Sequence, residues 1–464
     1  MRCARSFAAG EPLPQGRTAR RSEPRATMTS PTLHVAALQL RAHDRRDFDA
    51  AWPGILAAAA RTIEGDDVDL LVLPEATIPG YVLGGDDVDD TAMARALAEL
   101  AALAARTATV IVAGSVVRVG NRLRNAAIAF DRDGSVAGRA DKTFLWHFDS
   151  RWFEAGDAIE PISTSIGKIG ALVCADGRIP TIARALVDRG AQMLVMPTAW
   201  VTSGRDPGAL ENVQADLLAR VRAYENGVPF VAANKCGVEL GIALYCGKSQ
   251  IVDASGRTLA IAGERDAEAI AARVDMTPAR PHRARVLVPA HAAPRPLPER
   301  PIRIAISARD GSALDREHLA WLNAEYAIAP DSTEQLAGLD RAIAVATVDD
   351  ALAGDPAGIA ELRRAGYRVI VWESRSGDGW TRDVARARAL ESRVYVVVLD
   401  RSANRAFAVD PDGAVLCGTF GEYRIAGFDL DARKTTLTAV APETDVLEAF
   451  NRVAAIVARN ETSP

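Results

Sequence analysis

Short apolar runs alternate along the chain with longer stretches whose apolar positions recur at helical spacing. Val35–Leu40 reads as a strand, Phe48–Glu64 as an alanine-rich amphipathic helix, and Asp69–Leu73 as a buried strand. Thr91–Ala108 reads as a helix and Thr109–Val116 as a further strand. Asn125–Phe130 and Ser135–Arg139 form a predicted hairpin, because Asp131-Arg-Asp-Gly134 between them supplies turn residues. Strand Ile169–Val173, helix Thr181–Arg189, strand Gln192–Met196, helix Glu211–Glu225, strand Phe230–Ala233 and a hairpin about Asp253-Ala-Ser-Gly256 follow. Helices set between buried and alternating strands predict a layered α/β domain.

The last third repeats part of this pattern. Ala185-Leu-Val-Asp-Arg-Gly-Ala-Gln-Met-Leu-Val-Met196 is echoed by Glu361-Leu-Arg-Arg-Ala-Gly-Tyr-Arg-Val-Ile-Val-Trp372. Arg222-Ala-Tyr-Glu-Asn226 is echoed by Arg388-Ala-Leu-Glu-Ser392, and Val252-Asp-Ala-Ser-Gly256 by Val409-Asp-Pro-Asp-Gly413. The order is the same throughout, and Pro180 precedes Gly190 by the interval at which Pro356 precedes Gly366. On that register Asp350 stands opposite Cys174. The expected division is a tail at 1–31, a first domain at 32–282, a Pro/Arg-rich arm at 283–301 and a degenerate second copy at 302–464.

Composition narrows the classes. With 464 residues, 48% apolar and 25% charged, the chain has material for two or three globular domains. A net charge of −5 and the lack of an aromatic-interleaved basic patch argue against a nucleic-acid partner. No apolar run reaches membrane-span length, so no membrane partner is expected. Five scattered cysteines (3, 174, 236, 246 and 417) read as reduced thiols in a cytoplasm. Six dispersed histidines without metal-ligand spacing predict no metal site. Residues 1–30 are rich in Arg, Pro and Ser with no apolar segment behind Arg20-Arg21, which reads as a disordered tail or an over-extended start with Met28 as the initiator.

Three strand ends carry candidate chemistry. The first predicted strand of the set runs into Pro74-Glu75, the hairpin into Asp141-Lys142, and Ile169–Val173 into Cys174. Sites in α/β sheets form at the carboxyl ends of strands. A thiol on a sharp turn before a helix meets backbone N–H groups, a setting expected to lower its pKa and to hold an oxyanion. Each residue has a plainer reading: a packing cysteine, a loop acid, a surface lysine. Their shared placement favours one job. Cys174 attacks a carbonyl or nitrile carbon, Glu75 moves protons, and Lys142 with the Ala175 N–H stabilises the oxyanion.

The words around these residues resemble the nitrilase superfamily of carbon–nitrogen hydrolases over roughly residues 33–300. The matching stretches are Leu-Val-Leu-Pro-Glu75-Ala-Thr-Ile-Pro-Gly-Tyr81, Asp141-Lys142-Thr-Phe-Leu-Trp146, Gly170-Ala-Leu-Val-Cys174-Ala-Asp-Gly-Arg-Ile-Pro180 and Pro197-Thr-Ala-Trp200. Arg222–Asn226 and Gly247–Asp253 extend the match. The resemblance implies a four-layer αββα sandwich followed here by a smaller degenerate α/β domain, a Glu75–Lys142–Cys174 triad, no cofactor, and hydrolysis of amides or nitriles. The family's second glutamate between Lys and Cys is replaced by Asp149, with Glu154 as the alternative carboxylate. The family's Phe-Pro-Glu is Ile179-Pro180-Thr181 here, which removes an acid.

Ala175-Asp176-Gly177 after the cysteine is nearer the amidase and carbamoylase branches than true nitrilases. Tyr81, Trp146, Phe148 and Trp200 are candidate pocket walls, with ordinary core packing the alternative for each. The leading reading is an amidase or N-carbamoyl-amine hydrolase working through a thioester, on a small amide, ureido compound or nitrile. A nitrilase and a catalytically silent binding protein are the alternatives. Homo-oligomerisation is possible, with the second copy as an internal pseudo-subunit.

Overall fold

The computed structural model describes residues 32–84, 88–206, 208–277, 297, 299–309, 316–330, 332–335 and 345–461. The expected tail at 1–31 lies outside the described residues, as does the 283–301 arm except for Leu297 and 299–301.

Residues 32–277 build two sheets with helices outside them. The long strand Thr32–Arg41 organises the front sheet. It pairs in parallel with Leu70–Val72, in parallel near its end with Lys235–Glu239, and antiparallel with Glu268–Asp275. Val110–Val119, Arg122–Phe130 and Val136–Asp141 extend that sheet. The rear sheet runs in the order Thr258–Ile261, Gln250–Val252, Phe230–Ala233, Met193–Pro197, Gly167–Ala171, Ile162–Thr164.

Strand alternation explains the layering, because successive side chains point to opposite faces. Val35, Ala37, Leu70 and Val72 join the core between the sheets with Ile169, Leu194 and Phe230. Ala36, Leu38, Leu71 and Leu73 pack instead under helices Phe48–Asp66 and Asp90–Thr107. Both faces of these strands are buried, hence their near-continuous apolar runs. Helices Pro180–Asp188 and Ala219–Asn226 cover the rear sheet.

The described residues of 302–461 contain two larger sheets, besides the small pair Ala439–Ala441 and Thr444–Asp445. Ser332–Gln335, Tyr326–Ala329, Ile302–Ile306 and Ala426–Leu430 form one. Val345–Val348, Val369–Ser374, Tyr395–Asp400, Arg405–Val409 and Val415–Gly418 form the other. Ile302, Ile304, Ile306 and Ile328 meet Val369, Val371, Val397 and Leu399 between them. Helix Thr381–Ser392 lies against helix Ala219–Asn226 and the turn before it, where Leu217, Leu218 and Val221 pack on Ala387 and Leu390.

Several expectations are corrected. Glu211–Glu225 is not one α-helix: a π turn, Gln214–Leu218, precedes the α-helix Ala219–Asn226. The pattern reading also missed the hairpin Lys235–Glu239/Ala243–Cys246, strands Ile162–Thr164 and Glu268–Asp275, and the C-terminal helix Val446–Glu461. That helix packs Phe450, Val453 and Ile456 into the first core. No helix among the described residues is long and apolar enough to cross a membrane.

Candidate active site

Glu75 follows strand Leu70–Val72 and is fully buried. Its backbone N–H donates to Thr198 O at 3.2 Å, which ties it to the end of a rear strand. Gly114 lets this segment lie flat on the neighbouring strand: a Cβ there would sit 2.3 Å from Pro74 O and 2.4 Å from Glu75 Cα. Oε1 of Glu75 accepts from Lys142 Nζ at 2.7 Å and from Asn125 Nδ2 at 2.6 Å. Oε2 is buried and has no protein partner among the described residues.

Lys142 follows strand Val136–Asp141 and is 1% exposed. Its Nζ lies 2.7 Å from Glu75 and 2.6 Å from Asp149 Oδ2. Burial alone would lower its pKa, but Asp149 and Glu75 outweigh that and hold it well above the ordinary lysine range. An ammonium has three donors. Two are spent on these carboxylates.

Cys174 opens a short helical turn, Cys174–Arg178, after strand Gly167–Ala171. Its φ of 47° lies in the left-handed region, a costly conformation for a residue with a side chain. Asp176 braces the turn by accepting from Val173 N at 3.0 Å, Thr143 N at 3.0 Å and Phe144 N at 2.7 Å. One carboxylate thus joins the cysteine turn to the lysine segment. Burial pushes Asp176 up to about 6 against the pull of those N–H groups. The expectation of a lowered thiol pKa is corrected. Burial and then the Glu75 charge push the Cys174 thiol far above the ordinary range, and Lys142, Thr198 and the Ala199 N–H offset only part of this.

The fully buried Asp149 accepts from Tyr81 Oη at 2.6 Å and from Trp146 N at 2.9 Å. Glu154, the alternative, instead pairs with Arg124 at 2.9 Å near the surface. Tyr81 is held in turn by Glu239, whose Oε1 accepts the Tyr81 and Val82 N–H groups at 2.7 Å each. Oε2 of Glu239 accepts from Lys235 at 3.0 Å and Tyr245 Oη at 2.8 Å. Sequence reasoning missed Asn125, Asp176, Lys235 and Glu239. Only Asp176 carried a local signal, its place two residues after the cysteine.

The other candidates fall into two groups. Phe148 packs on Tyr81 and Trp152, with ring centroids 5.7 and 5.0 Å away. Trp146 is partly exposed and lies under the Arg178 guanidinium at 4.3 Å. Ala175 and Trp200 are each 1% exposed, and the Trp200 indole N–H has no protein partner among the described residues. A groove of about 610 Å³ between helices Phe48–Asp66 and Asp90–Thr107 is lined by Trp52, Leu56 and Arg95 and touches none of these residues. Among the described residues no group of His, Cys, Asp and Glu has the makings of a metal site.

The end of the cysteine turn is clamped from behind. Arg222 Nε donates to Gly177 O at 2.9 Å and its Nη2 to Arg178 O at 3.5 Å. Arg222 also pairs with Glu225 at 2.6 Å and with Glu391. Arg388 closes the network through Glu225 and Glu391.

The carbon-nitrogen hydrolase family model matches residues 34–284. A protein of Pseudomonas protegens described as "Hydrolase in pqqF 5'region" is 35% identical over 207 residues, covering 43% of this chain and 70% of its own. The deaminated glutathione amidase of Escherichia coli O157:H7 is 32% identical over 238 residues, covering 48% of this chain and 84% of its own. Among solved structures, an amidase from Nesterenkonia sp. is 26% identical with a TM-score of 0.47, covering 53% of this chain and 90% of that one.

Proposed function

The chain belongs to the carbon-nitrogen hydrolase family, whose amide-cleaving chemistry it shares, and we propose that it works through a thioester on Cys174, with Glu75 as proton carrier and Lys142 as oxyanion donor. The observation that carries this is the Glu75 carboxylate. One oxygen is anchored by Lys142 and Asn125, while the other is buried without a protein partner.

The steps follow from these atoms. As the sulfur of Cys174 bonds to the amide carbon, its proton passes to Glu75 Oε2. The carbonyl electron pair moves onto oxygen, and the unspent N–H of Lys142 and the Ala175 N–H receive that charge. Glu75 gives its proton to the nitrogen, the C–N bond breaks, and ammonia or amine leaves a thioester. Water then loses a proton to Glu75 and attacks the thioester. The C–S bond breaks, the acid departs, and the proton returns to sulfur. Removal of one oxyanion donor of this kind costs about 2.7–4 kcal/mol of barrier. Asp149 is a positioning residue in this scheme, since it holds the ammonium together with Glu75.

The test is ammonia release from a panel of amides, ureido acids and nitriles, with Cys174→Ala as control. Cys174-dependent release from amides is expected. Release from nitriles alone would favour the nitrilase reading, and no Cys174-dependent turnover would favour a silent binding protein. A cytoplasmic location is part of the proposal.

We further infer that residues 302–464 are a degenerate half-copy docked as an internal pseudo-subunit. The support is reciprocal contact. Arg222 pairs with Glu391 while Arg388, its echo, pairs with Glu225. Such exchange of i–j for j–i is the mark of two-fold packing. Strand pairing agrees: both rear-type sheets join three parallel strands to two antiparallel ones, starting from Gly167–Ala171 and from Val345–Val348. Asp350, opposite Cys174, is spent on Trp372 Nε1 and Arg375 N, both at 2.9 Å.

A further inference from the structure

Asp149 sits on a short turn, His147–Arg151, and the stretch from that turn to Gly156 meets Lys142 at two points. Asp149 Oδ2 lies 2.6 Å from Lys142 Nζ, and the Gly156 N–H donates to Lys142 O at 2.7 Å. The C-terminal segment grips this stretch at both ends. The His147 N–H donates to Thr444 Oγ1 at 2.7 Å, 297 positions further along the chain. Arg452 Nη2 donates to Gly156 O at 2.9 Å. Between these grips the first half supplies its own ties: the Glu154 N–H donates to Leu123 O at 2.9 Å, and the Glu154 carboxylate pairs with Arg124.

The Thr444 contact falls where the backbone needs it. His147 has a φ of 51°, a left-handed conformation that a residue with a side chain keeps only where its surroundings fix it. Trp146, just before it, is bound to Asp149 itself: Asp149 Oδ2 accepts the Trp146 N–H, and the Asp149 N–H donates to Trp146 O, both at 2.9 Å. The His147 N–H takes no part in that exchange, and its acceptor is Thr444.

Thr444 is placed to accept. It is 2% exposed, and its own hydroxyl proton goes to Pro442 O at 3.1 Å, which leaves its lone pairs for His147. Asp445, the next residue, caps helix Val446–Glu461 by accepting from Leu447 N at 2.8 Å and Glu448 N at 3.0 Å. That helix is anchored in the first core by Phe450, Val453 and Ile456. The hydroxyl therefore stands on a packed element.

We propose that Thr444 is a positioning residue for Asp149, and through it for Lys142, so that the C-terminal half completes a site whose reacting groups all lie in the first half. This rests on the hydrolase reading of Cys174. Without the Thr444 oxygen, a backbone N–H in a left-handed, partly buried turn loses its partner, and the turn that carries Asp149 loosens. A misplaced ammonium meets the oxyanion less well while substrate binding changes little, so the loss belongs to kcat.

The experiment measures kcat and KM on the best-cleaved amide of the panel in Thr444→Val, Thr444→Ser, Asp149→Asn and the double variant Thr444→Val/Asp149→Asn. Thr444→Val, close to threonine in shape, is expected to lose about tenfold in kcat with KM little moved, the scale on which a buried donor misses its partner. Thr444→Ser keeps the hydroxyl and should recover most of that loss. In the Asp149→Asn background Thr444→Val should cost little more, because the two residues act in one line. Native kcat in Thr444→Val, an equal loss in Thr444→Ser, or losses that multiply in the double variant would overturn the proposal. Hydrogen exchange gives a readout independent of turnover. Amides of residues 147–153 should exchange about tenfold faster in Thr444→Val, while those of strand Met193–Pro197 keep their native rates. That result with no amide cleaved would support the strut and count against the hydrolase reading alone. Native exchange across the turn would overturn the proposal. Thr444→Ala repeats each measurement if a melting curve shows that valine disturbs the fold.

Discussion

For Cys174 as the proposed nucleophile, the physical problem is to keep a thiol neutral at rest and still let it attack carbon. Burial and the neighbouring Glu75 charge both disfavour the thiolate. On the proposed mechanism the proton leaves as the carbon–sulfur bond forms, and Glu75 Oε2, without a protein partner among the described residues, is the group to take it. This yields an unusual expectation for Glu75→Gln. Loss of a nearby negative charge lowers the thiol pKa, so at fixed pH the thiolate fraction rises, by up to about tenfold if that pKa falls by one. Alkylation of Cys174 by iodoacetamide, followed by peptide mass spectrometry between pH 7 and 10, should speed up and move to lower pH. Amide turnover should fall by about 10²–10⁴ in the same variant, the usual worth of a general acid–base. If Glu75→Gln slowed alkylation, the thiolate would be preformed at rest and the neutral-thiol account would fail.

At the scale of elements, the cysteine turn depends on a helix from the other end of the chain. Helix Thr381–Ser392 supplies Glu391, which is fully buried and pairs with Arg222, the residue that clamps Gly177 O. Glu391→Gln leaves two buried guanidinium groups short of a carboxylate, which is expected to cost about 3–5 kcal/mol of stability. Replacing Arg222, Glu225, Arg388 and Glu391 together by apolar residues of similar volume should cost much less in a denaturant melt. An unaltered melting point in Glu391→Gln would show that the network is incidental. The echo of Arg222–Glu225 in Arg388–Glu391 was legible in the sequence, because both words kept their order and spacing. The pairing across helices was not, since it arises only when the two halves meet. Strands such as Leu70–Val72 were legible because both faces are buried. Lys235–Glu239 was not, because its buried ion pair gives a strand the polarity of a loop.

Across the whole molecule, the site collects residues that the chain keeps far apart. That Glu75, Lys142 and Cys174 each follow a strand could be read in advance, because an apolar run or a hairpin marks each strand in the sequence. Their supports could not: Asn125 comes from a neighbouring strand, Glu239 from a hairpin at the sheet edge, and Arg222 from a helix braced by the C-terminal half. The resting charge of the thiol was misread for the same reason, since the local turn suggests activation while burial by the full fold opposes it. All of this serves one claim, that an acyl group passes through the sulfur of Cys174. Intact-mass spectrometry on protein acid-quenched during turnover of the amide panel tests it directly. The account predicts an adduct equal to the acyl part of the amide, formed as ammonia appears, located on Cys174 and absent in Cys174→Ala. Ammonia release that persists in Cys174→Ala, or steady turnover with the acyl group on another residue, would contradict it.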